Sequence, residues 1–91
     1  MTIHLDFHRV PILEGTLRYV SLGMVSGGAY RNEKFYGARL SYDPRLTADQ
    51  RMVLNDPQTS GGLLIAIAKD RGKDLVRDLI VKGVKTAAII G

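Results

Sequence analysis

A short, continuously apolar run in the second half of the chain constrains the fold more than any other feature. Residues 63–68 read Leu-Leu-Ile-Ala-Ile-Ala, with a glycine pair before them and charged residues after them. A run of this length and composition is typical of a central strand that is covered on both faces. The sequence therefore predicts a sheet whose two faces must be covered by the rest of the chain.

Three other segments also show the pattern of a strand. Residues 2–8 alternate apolar and polar side chains, and the segments 38–42 and 86–90 are short and bounded by turn residues. Between these segments, apolar residues recur at helical intervals from Leu13 to Gly23, from Thr47 to about Leu54, and from Asp70 to Gly83. We expect an α+β fold: one α/β sandwich domain over residues 1–91, with a mixed sheet of about four strands and about three helices.

Several helix ends and surface pairs can be assigned from single residues. Thr47 and Gln50 have the spacing of a capping box, and Asp70 is placed to cap the last helix. Gly23 and Gly83 stand where helices would end. The last helix also has the spacing for weak ion pairs, from Asp74 to Arg77 and from Asp78 to Lys82.

Composition excludes several classes of function. The absence of cysteine excludes disulfides, thiolate metal sites and cysteine nucleophiles. The net charge is +4, but the arginines are scattered along the chain, so nucleic-acid binding is not expected. The start of the chain does not resemble a signal peptide and no apolar run approaches the ~20 residues that cross a bilayer, so we expect a cytoplasmic chain without a membrane partner.

The residues do not form a recognisable catalytic or metal site. His4 and His8 would lie about 13 Å apart along a strand, which is too far for both to bind one metal ion. The chain contains neither a Walker A motif nor a Gly-x-Gly-x-x-Gly fingerprint. Its acidic residues Asp43, Asp49 and Asp56 are separated from one another, so no metal site is expected in this chain.

Two glycine-containing segments could nevertheless contact a ligand. Residues 24–32 lack a sustained period, and we interpret them as a loop. Residues 56–62 read Asp-Pro-Gln-Thr-Ser-Gly-Gly, and successive amide protons in such a turn can form an anion-binding nest. Composition alone favours an ordinary turn leading into a strand for the second segment, because glycine-rich turns greatly outnumber phosphate sites.

The segment 56–64 resembles the signature of the C-terminal domain of the selenophosphate synthetase (selenide, water dikinase) family. Residues 10–15, the segment 27–32 and the end of the chain at 83–84 and 88–91 are similar to other parts of that domain, in the same order. This resemblance covers nearly all 91 residues. It implies the C-terminal fold of the aminoimidazole ribonucleotide synthetase-like superfamily.

The resemblance also implies a division of labour. The family makes selenophosphate from selenide, water and ATP, with magnesium, and it carries its reactive cysteine or selenocysteine, its essential lysine and its metal-binding aspartates in an N-terminal domain. That domain is not in this sequence. We therefore expect no catalytic residue in this chain, no activity of the chain alone, and no tight binding of ATP or magnesium to it.

The expected contribution of the chain is one wall of the cleft between the two domains. The resemblance assigns the substrate- or phosphate-facing positions to Gly27, Gly28, Arg31, Asn32, Asp56, Gln58, Thr59, Ser60, Gly61 and Gly62. The expected partner is the N-terminal catalytic domain, in the same or a separate chain, and a homodimer stays open. The alternative is a free-standing binding or regulatory module with the same fold.

Overall fold

The structure is a computed structural model, and it describes residues 2–91. The regular structure consists of four α-helices, α1 (Thr16–Ser21), α2 (Gly27–Tyr36), α3 (Ala48–Asn55) and α4 (Gly72–Val81). Three short 3-10 turns occur at Phe7–Arg9, Gly37–Arg39 and Lys69–Arg71. The chain forms two compact units: Leu13–Gly61 is one, and the chain up to Ile12 together with Gly62–Gly91 is the other.

The predicted mixed sheet is wrong. No strand is present in residues 2–91, and the regular structure there is helical. Leu63, at the start of the segment predicted to be a buried central strand, is 90% exposed, and Leu64 is 66% exposed. The α+β sandwich of about four strands is therefore corrected to an all-helical structure with extended connecting segments.

The physical reason is that a strand exists only when its backbone is hydrogen-bonded to a neighbouring strand. An apolar pattern in the sequence does not show that such a neighbour is present. Among the described residues, one backbone hydrogen bond joins the first and last predicted strands, from the Asp6 N–H to the Ile90 carbonyl at 2.7 Å. The third predicted strand, residues 63–68, makes no such bond to another predicted strand among the described residues; its Ala68 carbonyl accepts only from the Arg71 N–H of the following turn, at 2.9 Å. Part of the second is occupied by the turn Gly37–Arg39. The periodicity of the sequence identified segments whose side chains suit a sheet, but it did not show which other segment each would pair with.

The predicted loop over residues 24–32 is also wrong, because α2 begins inside it. The Ser26 hydroxyl accepts a hydrogen bond from the Ala29 N–H at 3.2 Å, which makes Ser26 the N-cap. Two glycines then occupy the first helical positions, and Ala29 is completely buried. Capping and burial together outweigh the low helix propensity of glycine.

Other helix ends follow the sequence closely. Thr47 and Gln50 form both bonds of the predicted capping box, at 3.2 and 2.9 Å. Gly23 and Gly83 follow α1 and α4 with φ of +82° and +97°, a left-handed conformation that favours glycine. These predictions were correct because each depends on a few adjacent residues.

Asp70 does not cap α4, contrary to the prediction. It lies within the turn Lys69–Arg71, and α4 starts after Arg71 without a side-chain cap. An N-cap residue needs extended backbone, which a helical turn does not provide. On α4 itself, Arg77 bridges Asp74 at 3.0 Å and Asp78 at 3.4 Å, so the first predicted ion pair is present and the second aspartate pairs with arginine in place of Lys82.

Each unit has a small core. In Leu13–Gly61, α3 packs against both α1 and α2, and Ala29, Met52 and Asn55 are buried. In the other unit, Phe7 is buried, and Ile89 lies beside Gly72 at the start of α4. Within residues 2–91, no helix is both long enough and apolar enough to cross a membrane.

Replacement of Thr47 by alanine should destabilise the unit that contains α3. The Thr47→Ala variant loses the hydroxyl that accepts the Gln50 N–H, and a lost N-cap of this kind costs about 1 kcal/mol. Urea denaturation followed by circular dichroism measures the difference. Thr59→Ala is the control, because Thr59 is exposed and makes no hydrogen bond with the described residues; equal stability of the two variants would contradict the capping assignment.

Asp43 should titrate below an ordinary aspartate. Its pKa is lowered mainly by the side-chain hydrogen bonds from Arg45, at 3.0 and 2.6 Å, and further by the Arg45 backbone N–H at 2.9 Å. Because the folded pKa is depressed, any stabilisation from this pair is present above the unfolded pKa and is lost as the pH falls through the folded one. Carboxyl NMR titration should show the low midpoint, and Arg45→Ala should return it most of the way; an unchanged midpoint would refute the assigned cause.

Candidate functional site

The candidate site lies in the unit Leu13–Gly61, where the first turn of α2 meets the chain that leaves α3. Two contacts define this junction. The Ser26 hydroxyl donates a hydrogen bond to Asp56 Oδ1 at 3.1 Å, and Gly28 lies directly against the ring of Pro57. The junction therefore brings together parts of both segments that sequence analysis had selected, 27–32 and 56–62.

Gly28 is required at this junction for steric reasons. A Cβ atom at position 28 would lie 2.5 Å from Pro57 Cγ and 3.3 Å from Pro57 Cδ. Real Cβ atoms do not approach so closely, and the proline ring cannot rotate away as a flexible side chain would. Glycine here provides space for close approach and is not needed for its conformational freedom.

Asp56 connects the junction to the exposed segment that follows it. One carboxylate oxygen accepts from Ser26, and the other accepts from the side-chain amide of Gln58. A carboxylate beside the N-terminal turn of α2 also interacts favourably with the helix dipole. Asp56 thus links the N-cap of α2 to the start of the turn at residues 58–61, where Gly61 packs against Gln58.

A buried amide lies immediately before Asp56. Asn55 is 6% exposed, and its Nδ2 donates to Tyr42 Oη at 2.8 Å and to the Arg51 carbonyl at 2.9 Å. The backbone carbonyl of Asn55 accepts from Asn32 Nδ2 at 2.9 Å. The Arg51 guanidinium also lies over the Tyr42 ring, 5.7 Å from its centre. These bonds tie α2, α3 and the segment before α3 together at the position where the candidate site begins.

Arg31 supplies positive charge at the first turn of α2. Its Nη1 lies 3.3 Å from the position that a Cβ on Gly27 would occupy, so the guanidinium is folded back beside the helix N-terminus. The first amide N–H groups of a helix have no partner within it, and they favour anionic oxygens. The Ala29 N–H is already bonded to Ser26. The Arg31 guanidinium and the Gly27 and Gly28 amides are therefore the groups that can bind a phosphoryl oxygen, and the Asp56 carboxylate lies beside them.

The structure places the other predicted site residues less closely. Asn32 is half-buried, and its amide is used internally. Thr59 and Ser60 are exposed, and their side chains make no hydrogen bond with the described residues. Gly62 belongs to the other unit.

Sequence reasoning missed three residues of the junction: Ser26, Tyr42 and Asn55. Ser26 carried a detectable signal, because serine is one of the residues preferred at an N-cap. Asn55 lies three positions after the buried Met52 and so on the same helix face, which made it a candidate buried polar residue. Tyr42 had no local signal, since its partner is 13 residues away in sequence.

A shallow cleft of about 330 Å³ adjoins the junction. It is lined by Asn32, Tyr36, Arg39, Leu40, Leu54, Asn55 and Asp56. Its walls combine leucine side chains with amide, carboxylate and guanidinium groups.

The described residues do not gather ligands for a metal ion. In the part of the chain from Thr2 onward, no three histidine, aspartate or glutamate side chains are close enough to hold one cation. Both Asp56 carboxylate oxygens also accept hydrogen bonds from Ser26 and Gln58. No residue of this chain is therefore assigned to magnesium.

Comparison with known proteins found curated relatives named selenide, water dikinase. The relative from Shewanella baltica (strain OS155) is 43% identical over 76 residues, which are 84% of this chain and 21% of that protein. The relative from Porphyromonas gingivalis (strain W83) is 43% identical over 90 residues, 98% of this chain and 25% of that protein. The relative from Pelobacter propionicus is 39% identical over 82 residues, 90% of this chain and 24% of that protein.

These matches confirm the resemblance predicted from residues 56–64. The chain spans about a quarter or less of the length of the curated relatives it matches. No family model matches the chain. No solved structure matches it either.

Alanine at positions 27 and 28 should have opposite effects on stability. Gly28→Ala forces a Cβ into the Pro57 ring and should destabilise the unit by about 1–3 kcal/mol, the usual cost of overpacking. Gly27→Ala meets only the flexible end of Arg31 and should stabilise α2 by up to about 1 kcal/mol. Urea denaturation of both variants measures the two effects.

A double variant identifies the cause of the Gly28→Ala effect. If the clash with Pro57 is responsible, Gly28→Ala combined with Pro57→Ala should recover much of the loss. Additive losses in the double variant would show that the two residues do not contact each other.

Proposed function

We propose that this chain, a homologue of part of selenide, water dikinase (the selenophosphate synthetase family), is the C-terminal portion of such an enzyme. In that role it lines the cleft in which selenophosphate is made from selenide and ATP. The observation that carries the proposal is the match over 98% of the chain, because a match of that extent includes both segments of the α2–α3 junction.

The chemistry of the proposed reaction explains why a second domain would need to cover the cleft. The proposed reaction consumes ATP, selenide and water and yields selenophosphate, AMP and phosphate, so a phosphorylated intermediate must be protected from hydrolysis. Closing a polar but water-poor surface over the phosphates achieves this protection. ATP and magnesium are proposed for the complete enzyme, with the reacting groups in the part of it outside this chain.

The junction supplies groups suited to phosphate. The Gly27 and Gly28 amides at the start of α2 and the Arg31 guanidinium would bind phosphoryl oxygens, and the positive end of the helix dipole would stabilise their charge. Asp56 is held by Ser26 and Gln58, and so it would orient the exposed turn at residues 58–61 and take no part in the chemical step.

A chimera tests the proposal without assuming that the chain acts alone. In the Porphyromonas gingivalis relative, the matching quarter of the protein is replaced by this chain, and selenide-dependent AMP formation is measured. We expect the chimera to retain activity. A chimera that is folded and binds ATP but forms no AMP with selenide would refute the proposal and favour a binding or regulatory module.

Two arginine variants of the chimera test the phosphate assignment. Arg31→Ala should lower kcat/KM about tenfold or more, as expected when a charged group that contacts a phosphoryl oxygen is removed. Arg45→Ala is the matched control, because Arg45 is also exposed but pairs with Asp43 outside the junction. Equal effects of the two substitutions would contradict the role of Arg31.

A further inference from the structure

We propose that Asn55 is a positioning residue, which holds the segment 56–61 in the orientation that the site requires. This inference rests on the proposed function. It starts from an observation that the phosphate assignment does not use, the 6% exposure of a polar side chain at the end of α3. Burial of an amide costs free energy unless its hydrogen bonds are made inside the protein.

Both protons of the Asn55 amide are used in directional bonds. One bond goes back to the Arg51 carbonyl on the preceding turn of α3, at 2.9 Å. The other crosses to Tyr42 Oη at 2.8 Å, outside the helix. The first bond fixes the side chain against its own helix, and the second fixes that helix end against a segment 13 residues away.

The Asn55 main chain is held from a third direction. Asn32 on α2 donates its side-chain amide to the Asn55 carbonyl at 2.9 Å, across 23 residues of sequence. The next residue is Asp56, whose carboxylate holds Ser26 and Gln58. The segment 56–61, which leads from α3 into the candidate site, is thus fixed at two points: at Asn55, the residue before it, and at the side chain of Asp56, its first residue.

This arrangement also changes the role of Asn32. Its predicted role was to face the substrate, but its amide nitrogen is committed to Asn55. Asn32 and Asn55 together form a hydrogen-bonded latch between α2 and α3, and Asn55 is its centre because it alone connects to both Asn32 and Tyr42. Small displacements of reacting groups reduce rates strongly, so a latch at this position affects the chemical step.

The test uses the active chimera described above and the variant Asn55→Ala. We expect kcat to fall about tenfold or more while the KM for ATP changes less than about twofold, because positioning is lost and binding groups remain. Tyr42→Phe removes only the phenol oxygen and keeps the ring over Arg51, so it should lower kcat in the same direction by a smaller factor. It serves as the second variant if Asn55→Ala fails to fold.

Met52→Ala provides the control for a merely structural role. Met52 is buried on the same face of α3, 8% exposed, but contributes no side-chain hydrogen bond to the junction. We expect this variant to lower the thermal midpoint while kcat per folded molecule stays within about twofold of the unsubstituted chimera. An equal fall in kcat for Asn55→Ala and Met52→Ala at the same folded fraction would overturn the inference.

The two proposals fail in different ways. An unsubstituted chimera without activity refutes the proposed function. An active chimera whose kcat is unaffected by Asn55→Ala and by Tyr42→Phe refutes the positioning role alone.

Discussion

The close contact between Gly28 and Pro57 is the constraint on which the rest of the junction depends. It lets the first turn of α2 approach the chain after α3 more closely than any residue with a Cβ would permit. At that separation the N-cap residue Ser26 can reach Asp56. The Ser26 hydroxyl then accepts from the Ala29 N–H of α2 and donates to Asp56 in the segment after α3. The packing contact and the polar contacts therefore support each other, and neither explains the geometry alone.

The polar groups of this region fall into two sets with different physical roles. Asn32, Tyr42 and Asn55 bond to one another or to the backbone and are at least partly buried, so their hydrogen bonds fix the positions of α2 and α3. Gly27, at the start of α2, and Arg31 are exposed, so the Gly27 amide and the Arg31 guanidinium can contact an anion. Asp56 connects the two sets. The groups that fix the helices are therefore different from the groups that can bind an anion, as the proposed role as one wall of a cleft requires.

Sequence reasoning succeeded where structure depends on adjacent residues and failed where it depends on distant ones. The capping box of Thr47 and Gln50 and the glycine that ends each of α1 and α4 are local, and all were predictable. Whether a sheet forms was not predictable. The apolar run at 63–68 indicates that a buried environment would suit it, but it does not indicate which segment would pair with it. The candidate site was found through its resemblance to a family, whereas Asn55 and Tyr42 meet only after the chain has folded.

Nuclear Overhauser effects between the Gly28 α-protons and the Pro57 ring protons test most directly whether α2 and the segment after α3 are in contact. We expect strong effects to the Pro57 γ-protons, together with helical amide contacts from Gly27 onward, because the two groups are in van der Waals contact and Ser26 caps α2. Absence of these effects in a sample where α2 and α3 are both helical would contradict this contact, since the segment 56–61 would then not be held against the first turn of α2.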